Sequence, residues 1–283
     1  MSGRVAVRRR RTKWMGHGPG LLGVFVLIGL AIIAVAAPCI APHSPTVMAL
    51  DAPLLPPGSP GHVLGSDELG RDVLSRLIHG SRLSLSVGLV VVGISGTLGV
   101  ALGAVSGYFG GVVDTVIMRL VDVLLAFPAL VLALAVVASL GPGLLNLMIV
   151  LGVIGWGDYA RLVRGMVLAL RDEEYVRAAR VMGAGHGRIL WRHILPNCLG
   201  TVVVQATFGV AAAMLAAAGL SFLGLGAQPP TAEWGAMLAA ARPYLRQRPV
   251  MAIAPGLAIM VTVLAVNLAG DALRDVLDPR LTR

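Results

Sequence analysis

Residues that catalyse the hydrolysis of nucleotides or peptides are scarce in this chain. Lysine occurs once, as Lys13 in Thr12-Lys13-Trp14. A phosphate-binding loop needs a lysine within GxxxxGK[ST], because its ammonium must reach the terminal phosphates. The patterns HExxH and GxSxG are also missing from the sequence. We therefore predict that the protein is not an enzyme, and that any work from ATP hydrolysis must come from a partner.

Acidic side chains are the usual proton or sodium carriers of secondary transporters, which place them inside the helix bundle. The apolar stretches of this chain have acids only at their ends, at Asp114, Asp122 and Asp158. Paired helix breaks point to sodium sites in such carriers, but Phe127-Pro128 and Gly141-Pro142 do not recur in corresponding halves. An ion-coupled carrier is therefore a distant alternative.

Metal-ligand spacing is missing as well. The histidines lie at positions 17, 43, 62, 79, 186 and 193, outside the apolar stretches, and Cys39 and Cys198 form no CxxC or Cys/His cluster. We predict no metal site and no cofactor, and we interpret the cysteines as small apolar residues. Direct chelation of nickel by this chain is not expected.

The composition is that of a protein whose solvent is mostly lipid. Hydrophobic residues make up 57% of the 283 residues, charged residues make up 13%, and the mean hydropathy is +0.84. A soluble domain carries roughly 25% charged residues, and half that fraction cannot cover a globule of this size. The net charge of +9 comes from arginines that punctuate apolar runs. This pattern favours a membrane over nucleic acid as the partner.

Six stretches satisfy or approach the roughly 20 helical residues needed to cross a bilayer core about 30 Å thick. They are predicted at 21–37, at 83–106, from near 115 to 140, from 144 to beyond 159, at 199–223 and at 249–270. Gly141-Pro142-Gly143 separates the third from the fourth. Arg119 and Asp122 are spaced to pair on one face of the third helix. We predict an all-α integral membrane protein with six transmembrane helices.

Basic residues set the predicted orientation. A cytoplasmic N-terminus leaves six of the 23 basic residues outside, namely Arg71, Arg76, Arg82, Arg242, Arg246 and Arg248. The positive-inside rule therefore favours both termini in the cytoplasm. A cleaved signal peptide ending at Ala34-Val35-Ala36 is the alternative, but the apolar stretch exceeds the usual core of roughly 7–15 residues.

Two segments between spans carry candidate sites. The outside segment 38–82 is proline-rich and then polar at 65–72. One interpretation is a solvated cap in which Asp67 or Asp72 pairs with Arg71 or Arg76. The other is a docking surface or a gate. The inside segment 158–198 contains acids at 172–174 that suit a helix start.

A short amphipathic helix over 175–182 follows these acids, and Gly183 can end it in the left-handed cap conformation. This helix is either interfacial or a knob inserted into a soluble partner. Periodicity alone leaves both interpretations open.

The inside loop resembles the EAA loop of permease subunits in bacterial ATP-binding-cassette importers. That pattern is Glu-Ala-Ala, three residues, Gly, nine residues and Ile-x-Leu-Pro. Here Ala178-Ala179, Gly183 and His193-Ile194-Leu195-Pro196 keep the spacing, with Arg177 in place of Glu and His193 in place of Ile. The histidine form looks like the dipeptide, oligopeptide and nickel branch. Other segments similar to the C-type permease of that branch are 64–76, 156–164, 220–226, 228–230 with 234–235, and 270–279.

The resemblance implies that residues 174 to about 187, within an EAA-type loop at 171–197, form a cytoplasmic coupling helix between the fourth and fifth transmembrane helices. This helix would sit in a groove of an ATPase and act as a lever for alternating access. The implied coupling residues are Glu174, Tyr175, Ala178, Ala179, Gly183, Ile194, Leu195 and Pro196. Small side chains at 178, 179 and 183 would allow close seating, and Pro196 would stop the loop helix where the fifth span begins.

The implied partners are a second, non-identical permease, two ATPase subunits or one fused ATPase, and an extracytoplasmic solute-binding protein, with no nucleic acid. Candidate docking residues for the binding protein are Gly65, Asp67, Gly70, Arg71, Asp72, Gln228, Trp234 and Gly235. Trp234 is equally compatible with an aromatic anchor at the membrane interface.

The implied function is that of the permease subunit of an ATP-driven importer of di- or oligopeptides in the cytoplasmic membrane. The same architecture importing nickel or another small solute is the alternative. The predicted organisation has four parts: a basic cytoplasmic tail at 1–20, the first helix and extracytoplasmic segment at 21–82, a core permease domain of five helices at 83–271, and a cytoplasmic tail at 272–283.

Overall fold

The computed structural model describes residues 18–277, and the regular elements in that range are helical. They are α1 (Gly18–Ile40), α2 (Val73–Phe109), α3 (Gly111–Leu125), α4 (Ala129–Leu140), α5 (Leu144–Leu170), α6 (Glu174–Val181), α7 (His186–Phe222), α8 (Trp234–Ala241) and α9 (Val250–Leu277). A 3₁₀ turn at Arg242–Tyr244 follows α8. Most of the tail predicted at 1–20, and residues 278–283 of the tail predicted at the C-terminus, lie outside the described residues.

Helices α1, α2, α5, α7 and α9 are long and apolar enough to cross a membrane. Helices α3 and α4 are long and apolar enough only when they are taken together, and they are bent by 88° at their junction. Pro128 explains the bend, because it disfavours a helical conformation at Phe127 and lacks the N–H that a continuing helix needs. The predicted all-α membrane fold is confirmed, and the number of spans reaches six if the bent pair crosses once.

Helix α2 begins at Val73, well before the predicted start at residue 83. Asp72 caps it, since its Oδ2 accepts a hydrogen bond from the Ser75 amide at 2.7 Å. Hydropathy reports only the lipid-embedded part of a helix and therefore missed these polar first turns. The domain boundary predicted between residues 82 and 83 falls inside this continuous helix.

Helix α7 begins at His186, before the predicted start at residue 199. It passes through a wide π-helical turn at Leu190–Ile194, directly before Pro196. Such a turn lets the helix continue past a residue that lacks an N–H. The prediction that Pro196 stops the loop helix is therefore wrong, because the helix runs through this position.

Two further positions differ from prediction. Helix α9 continues to Leu277, so the boundary predicted between 271 and 272 also falls inside a helix. Asp158, predicted at the end of a span, lies in the middle of α5 on its exposed side. Helix α5 continues past this acid, and ion pairs join its later turns to α3.

Helices α2 and α5 pack closely along a stripe of glycines spaced four residues apart, Gly99, Gly103 and Gly107. A Cβ added at Gly103 would lie 2.4 Å from the Ala160 carbonyl oxygen, and one at Gly107 would lie 2.8 Å from the Arg164 carbonyl oxygen. Larger side chains would push the helices apart. Close backbone approach drives helix association in lipid, where burial of apolar surface contributes little.

Two ion pairs join α3 to α5. Arg164 Nη2 donates to Asp114 Oδ2 at 2.6 Å, and Arg161 Nη2 donates to Asp122 Oδ1 at 2.9 Å. The predicted pair of Arg119 with Asp122 is therefore wrong. The partner from the neighbouring helix replaces it because α3 packs directly beside α5.

These two pairs should differ in their contribution to stability. Asp114 and Arg164 are 19% and 32% exposed, and Ser106 donates a further hydrogen bond to Asp114, whereas Asp122 and Arg161 are more than half exposed. We expect Asp114→Asn to lower the free energy of unfolding by on the order of 1–3 kcal/mol, and Asp122→Asn by less than about 1 kcal/mol. Thermal unfolding of both purified variants in one detergent measures the difference, and equal shifts would contradict it.

Candidate functional site

The loop between α5 and α7 contains the short helix predicted for coupling. Helix α6 covers Glu174–Val181 and follows Glu173, whose backbone is extended. The helix is shorter than the stretch 174–187 that the resemblance implies. Gly183 lies just past its end, and His186 already begins α7. Acids at the start of α6 and a glycine after its end are local signals, so the sequence predicted this element well.

Gly183 ends α6 in a Schellman motif. Its φ is +83°, a left-handed conformation that residues with a Cβ disfavour. The Gly183 amide donates to the Arg180 carbonyl, and the Ala184 amide donates to the Ala179 carbonyl, both at 3.0 Å. A Cβ at Gly183 would meet nothing within 4 Å in this chain. The role of Gly183 inside the chain is therefore conformational, and its steric role toward a partner stays a prediction.

One face of α6 is buried against the start of α7. Val176 is fully buried in a cluster with Ile189, Ile194 and Leu195, and Ala179 is buried on the same helix. Three of the predicted coupling residues, Ala179, Ile194 and Leu195, therefore face inward and hold the loop together. The predicted coupling residues that are exposed are Glu174, Tyr175, Ala178, Gly183 and Pro196.

Two polar contacts tie the loop to the long helices. Asn197 Nδ2 of α7 donates to the Tyr175 hydroxyl at 3.3 Å, and Tyr108 at the end of α2 is hydrogen-bonded to His186 Nδ1 at 3.0 Å. Partial burial and the Glu173 carboxylate raise the pKa of Tyr175 above its usual value. These contacts connect the loop mechanically to both α2 and α7.

The outer surface of the loop carries apolar side chains that sequence reasoning did not single out. Val181, Met182 and Trp191 are 88%, 81% and 74% exposed, and Arg188 and Arg192 line an open groove beside them. We call these five residues the loop patch. Apolar side chains mixed with arginine are typical of protein-binding surfaces. The signal in the sequence was the apolar pair Val181-Met182 at the end of a polar helix, followed by a tryptophan within a basic run.

The segment between α1 and α2, residues 41–72, forms a cap held by a buried polar network. Arg71 Nε donates to Asp67 Oδ2 at 2.6 Å. Arg76 of α2 approaches the same oxygen at 3.4 Å, and its Nη1 donates to the Pro45 carbonyl at 2.9 Å. The predicted pairing of Asp67 with an arginine is confirmed. Arg76 thus fastens the cap to α2.

Most of the residues predicted for docking are buried within the chain, so the docking role stays a prediction. Only Gln228 is exposed among the eight; the buried ones are Gly65, Asp67, Gly70, Arg71, Asp72, Trp234 and Gly235. A polar run in a sequence does not show whether its charges face solvent or pair with each other. Here the charges of Asp67, Arg71 and Arg76 pair with each other within the cap.

Trp234 also differs from its predicted role as an interfacial anchor. It is fully enclosed at the start of α8, where its Nε1 donates to the Leu77 carbonyl at 3.0 Å and its amide donates to Ser84 Oγ at 3.2 Å. Glu233 caps α8 by accepting from the Gly235 and Ala236 amides. Trp234 therefore joins α8 to α2.

Removal of the Asp67 carboxylate should destabilise the cap strongly. Its Oδ1 accepts two backbone N–H groups and its Oδ2 faces two buried guanidinium groups. Asp67→Ala removes the carboxylate that pairs with Arg76 and leaves Arg71 with Glu68 as its remaining acidic partner, and we expect a loss of about 3–5 kcal/mol in the free energy of unfolding. Asp51→Ala, an exposed acid of the same segment, is the control and should cost less than about 0.5 kcal/mol. Thermal unfolding measures both, and similar values would contradict the prediction.

The chain matches a known protein family over residues 99–283, described as the inner membrane component of binding-protein-dependent transport systems. The chain belongs to this family. It is 47% identical over 272 residues to a di/tripeptide transport system permease protein of Pseudomonas aeruginosa, covering 94% of this chain and 89% of that protein. It is 44% identical over 266 residues to a dipeptide transport system permease protein of Haemophilus influenzae, covering 92% and 90%. A glutathione transport system permease protein of Pectobacterium atrosepticum is 48% identical over 223 residues, covering 79% and 74%.

Family membership confirms the predicted resemblance to importer permeases. The protein is a multi-pass permease subunit of the cytoplasmic membrane and a component of a transport system. Transport by this family depends on a binding protein, which sets aside the ion-coupled carrier.

Proposed function

We propose that this permease forms the translocation pathway of an ATP-driven importer of di- or oligopeptides, together with a second, non-identical permease. The observation that carries the substrate class is the identity of 44–48% to permeases named for dipeptides, di/tripeptides and glutathione. Those names describe the relatives. They favour peptides over nickel for this chain because none of the three is named for a metal.

Partner subunits supply the ATPase activity in this proposal, either as two ATPase chains or as one fused chain. The loop patch supports this assignment, because its apolar side chains are exposed on α6, on α7 and between them, while the buried face of α6 packs against the start of α7. Burial of Val176 fixes α6 to α7, so a push on the patch would move α7 rather than bend the loop. The helices would then change their mutual packing and alternate access between the two sides.

Both termini are proposed to lie in the cytoplasm, with the loop patch on the same side. Arginines on α6 and at the start of α7 support this orientation by the positive-inside rule. The cap would then face outward, where a solute-binding protein would reach its exposed residues and Gln228. The core permease domain is proposed to start at Val73, at the capped end of α2.

Transport by the reconstituted complex tests the substrate class. The chain, its second permease, the ATPase subunits and the binding protein are placed in proteoliposomes with a labelled dipeptide, and labelled nickel serves as the competing cargo. We expect peptide uptake that requires both ATP and the binding protein. Nickel uptake without peptide uptake, or accumulation of peptide by this chain alone without ATP, would contradict the proposal.

Cross-linking tests the orientation and the ATPase contact. Cys39 and Cys198 are first replaced by alanine, and Val181→Cys or Val63→Cys is then introduced; both positions are more than half exposed. We expect Val181→Cys to cross-link to an ATPase subunit and to react with a membrane-impermeant maleimide only after permeabilisation. Val63→Cys, in the cap, should react in intact spheroplasts and give no ATPase cross-link. The reverse pattern would place the cap in the cytoplasm.

A further inference from the structure

Three potential metal ligands from separate parts of the chain meet at the start of α2. His43 follows α1, His62 lies in the middle of the cap, and Asp72 caps α2. His62 Nδ1 lies 2.9 Å from Asp72 Oδ1, and His43 Nδ1 lies 3.9 Å from Asp72 Oδ2. One ligand atom from each residue lies within 4.8 Å of the other two. The sequence prediction of no metal site rested on spacing along the chain, and these residues share no short spacing pattern.

The surroundings hold the cluster in place. The two imidazole rings are stacked, with centroids 5.0 Å apart and planes inclined by 17°, and each presents its Nδ1 to a different oxygen of one carboxylate. The Ser75 amide donates to Asp72 Oδ2 at 2.7 Å, and the Ser75 hydroxyl accepts from the His43 amide at 2.9 Å. Partners of this kind orient ligands in metal sites.

Burial is graded across the cluster in a way that suits entry of an ion. The Asp72 side chain is 1% exposed, that of His62 is 15% exposed and that of His43 is 45% exposed. The Asp72 carboxylate is therefore held at the buried end of the cluster. The His43 side chain lies on the solvent side and is free to shift. Ligand bonds of about 2.0–2.2 Å bring tetrahedral ligand atoms to about 3.3 Å from one another, and a small inward movement of His43 achieves this.

The donor set favours a transition metal over calcium or magnesium. Two imidazole nitrogens and one carboxylate oxygen are ligands that zinc prefers, with water at the fourth position, whereas calcium and magnesium require oxygen ligands throughout. We propose that His43, His62 and Asp72 bind one Zn²⁺ ion, which fastens the cap to α1 and α2. This role is structural and does not depend on which solute the importer carries.

Zinc binding by the full-length chain tests the proposal. The protein is purified in detergent with a streptavidin-binding tag rather than a histidine tag, stripped with a chelator and titrated with Zn²⁺ by calorimetry. We expect one ion per chain with micromolar or tighter affinity and a higher unfolding temperature with Zn²⁺. His43→Ala and His62→Ala should each weaken binding at least about 100-fold, since each removes one of three ligands. X-ray absorption should show two imidazoles in the zinc shell.

His79→Ala is the matched control. His79 lies on α2 one turn from Ser75, whose carbonyl its Nδ1 contacts at 3.0 Å, but it is not part of the cluster. It should bind Zn²⁺ like the wild type. If His62→Ala fails to fold, His43→Ala decides the question, because its side chain is nearly half exposed. Absence of micromolar binding in the wild type, or wild-type binding by His43→Ala, would overturn the proposal.

Discussion

Gly183→Leu should reduce ATP-driven uptake at least about tenfold while the chain still inserts into the membrane. Gly183 holds the left-handed position of the Schellman motif that ends α6. A residue with a Cβ pays about 1–2 kcal/mol to stay in this conformation, and each 1.4 kcal/mol changes an equilibrium tenfold. The side chain itself meets open space in this chain, so the fold should survive. Peptide uptake and ATP hydrolysis are measured together in the reconstituted complex. We expect the variant to lose more of its uptake than of its ATP hydrolysis.

Two variants separate the backbone effect from simple bulk. Gly187→Leu places the same side chain in the same loop, where the backbone is not left-handed and the Cβ also meets open space. It should keep uptake within about twofold of the wild type. That ratio corresponds to a free-energy change of less than about 0.5 kcal/mol. Gly183→Asn should recover part of the uptake, because asparagine tolerates the left-handed conformation. Unchanged uptake with Gly183→Leu, or equal losses with both leucine variants, would exclude the conformational role.

Trp234→Ala should lower the free energy of unfolding by about 3–5 kcal/mol, as expected for truncation of a fully buried tryptophan. The indole packs at the start of α8 against α2, close to Gly80, and its Nε1 donates to the Leu77 carbonyl. Alanine removes the packing and leaves that carbonyl without its partner. Thermal unfolding of the purified chain in detergent measures the loss.

Trp234→Phe distinguishes the packing from the hydrogen bond. Phenylalanine keeps most of the apolar volume and loses only the Nε1 donor, so it should cost about 1 kcal/mol. The affinity of the folded Trp234→Ala protein for its solute-binding protein is the second measurement. A wild-type unfolding temperature together with weakened binding would contradict the packing role and favour a docking role for Trp234.

The long helices connect the two regions that these predictions probe. Helix α2 runs from the capped end at Asp72 to Tyr108, which contacts His186 of the loop. Helix α7 runs from the loop to Phe222, close to the segment that leads into α8. In the proposed function, a movement imposed on α6 would reach the cap through these helices. The π-helical turn at Leu190–Ile194 lies on that path and is the place where α7 departs from regular geometry.

Local signals were sufficient to predict several elements from the residues themselves. Lipid requires long apolar helices, so composition and hydropathy located the membrane spans. Helix α6 was predictable because acids at its start and Gly183 at its end act within a few residues of where they stand. The spacing of 178–179, 183 and 193–196 identified the family, which the match over residues 99–283 confirmed.

Contacts between distant residues decided the rest. Asp122 pairs with Arg161 across two helices rather than with nearby Arg119, and Asp67 and Arg71 turn inward to each other rather than toward solvent. His43, His62 and Asp72 meet only because the cap folds back onto α2. A residue's type determines whether it prefers lipid or water and where a helix begins or ends. Which charges are buried, and against what, depends on packing between segments far apart in the chain, and the tertiary structure alone decided that.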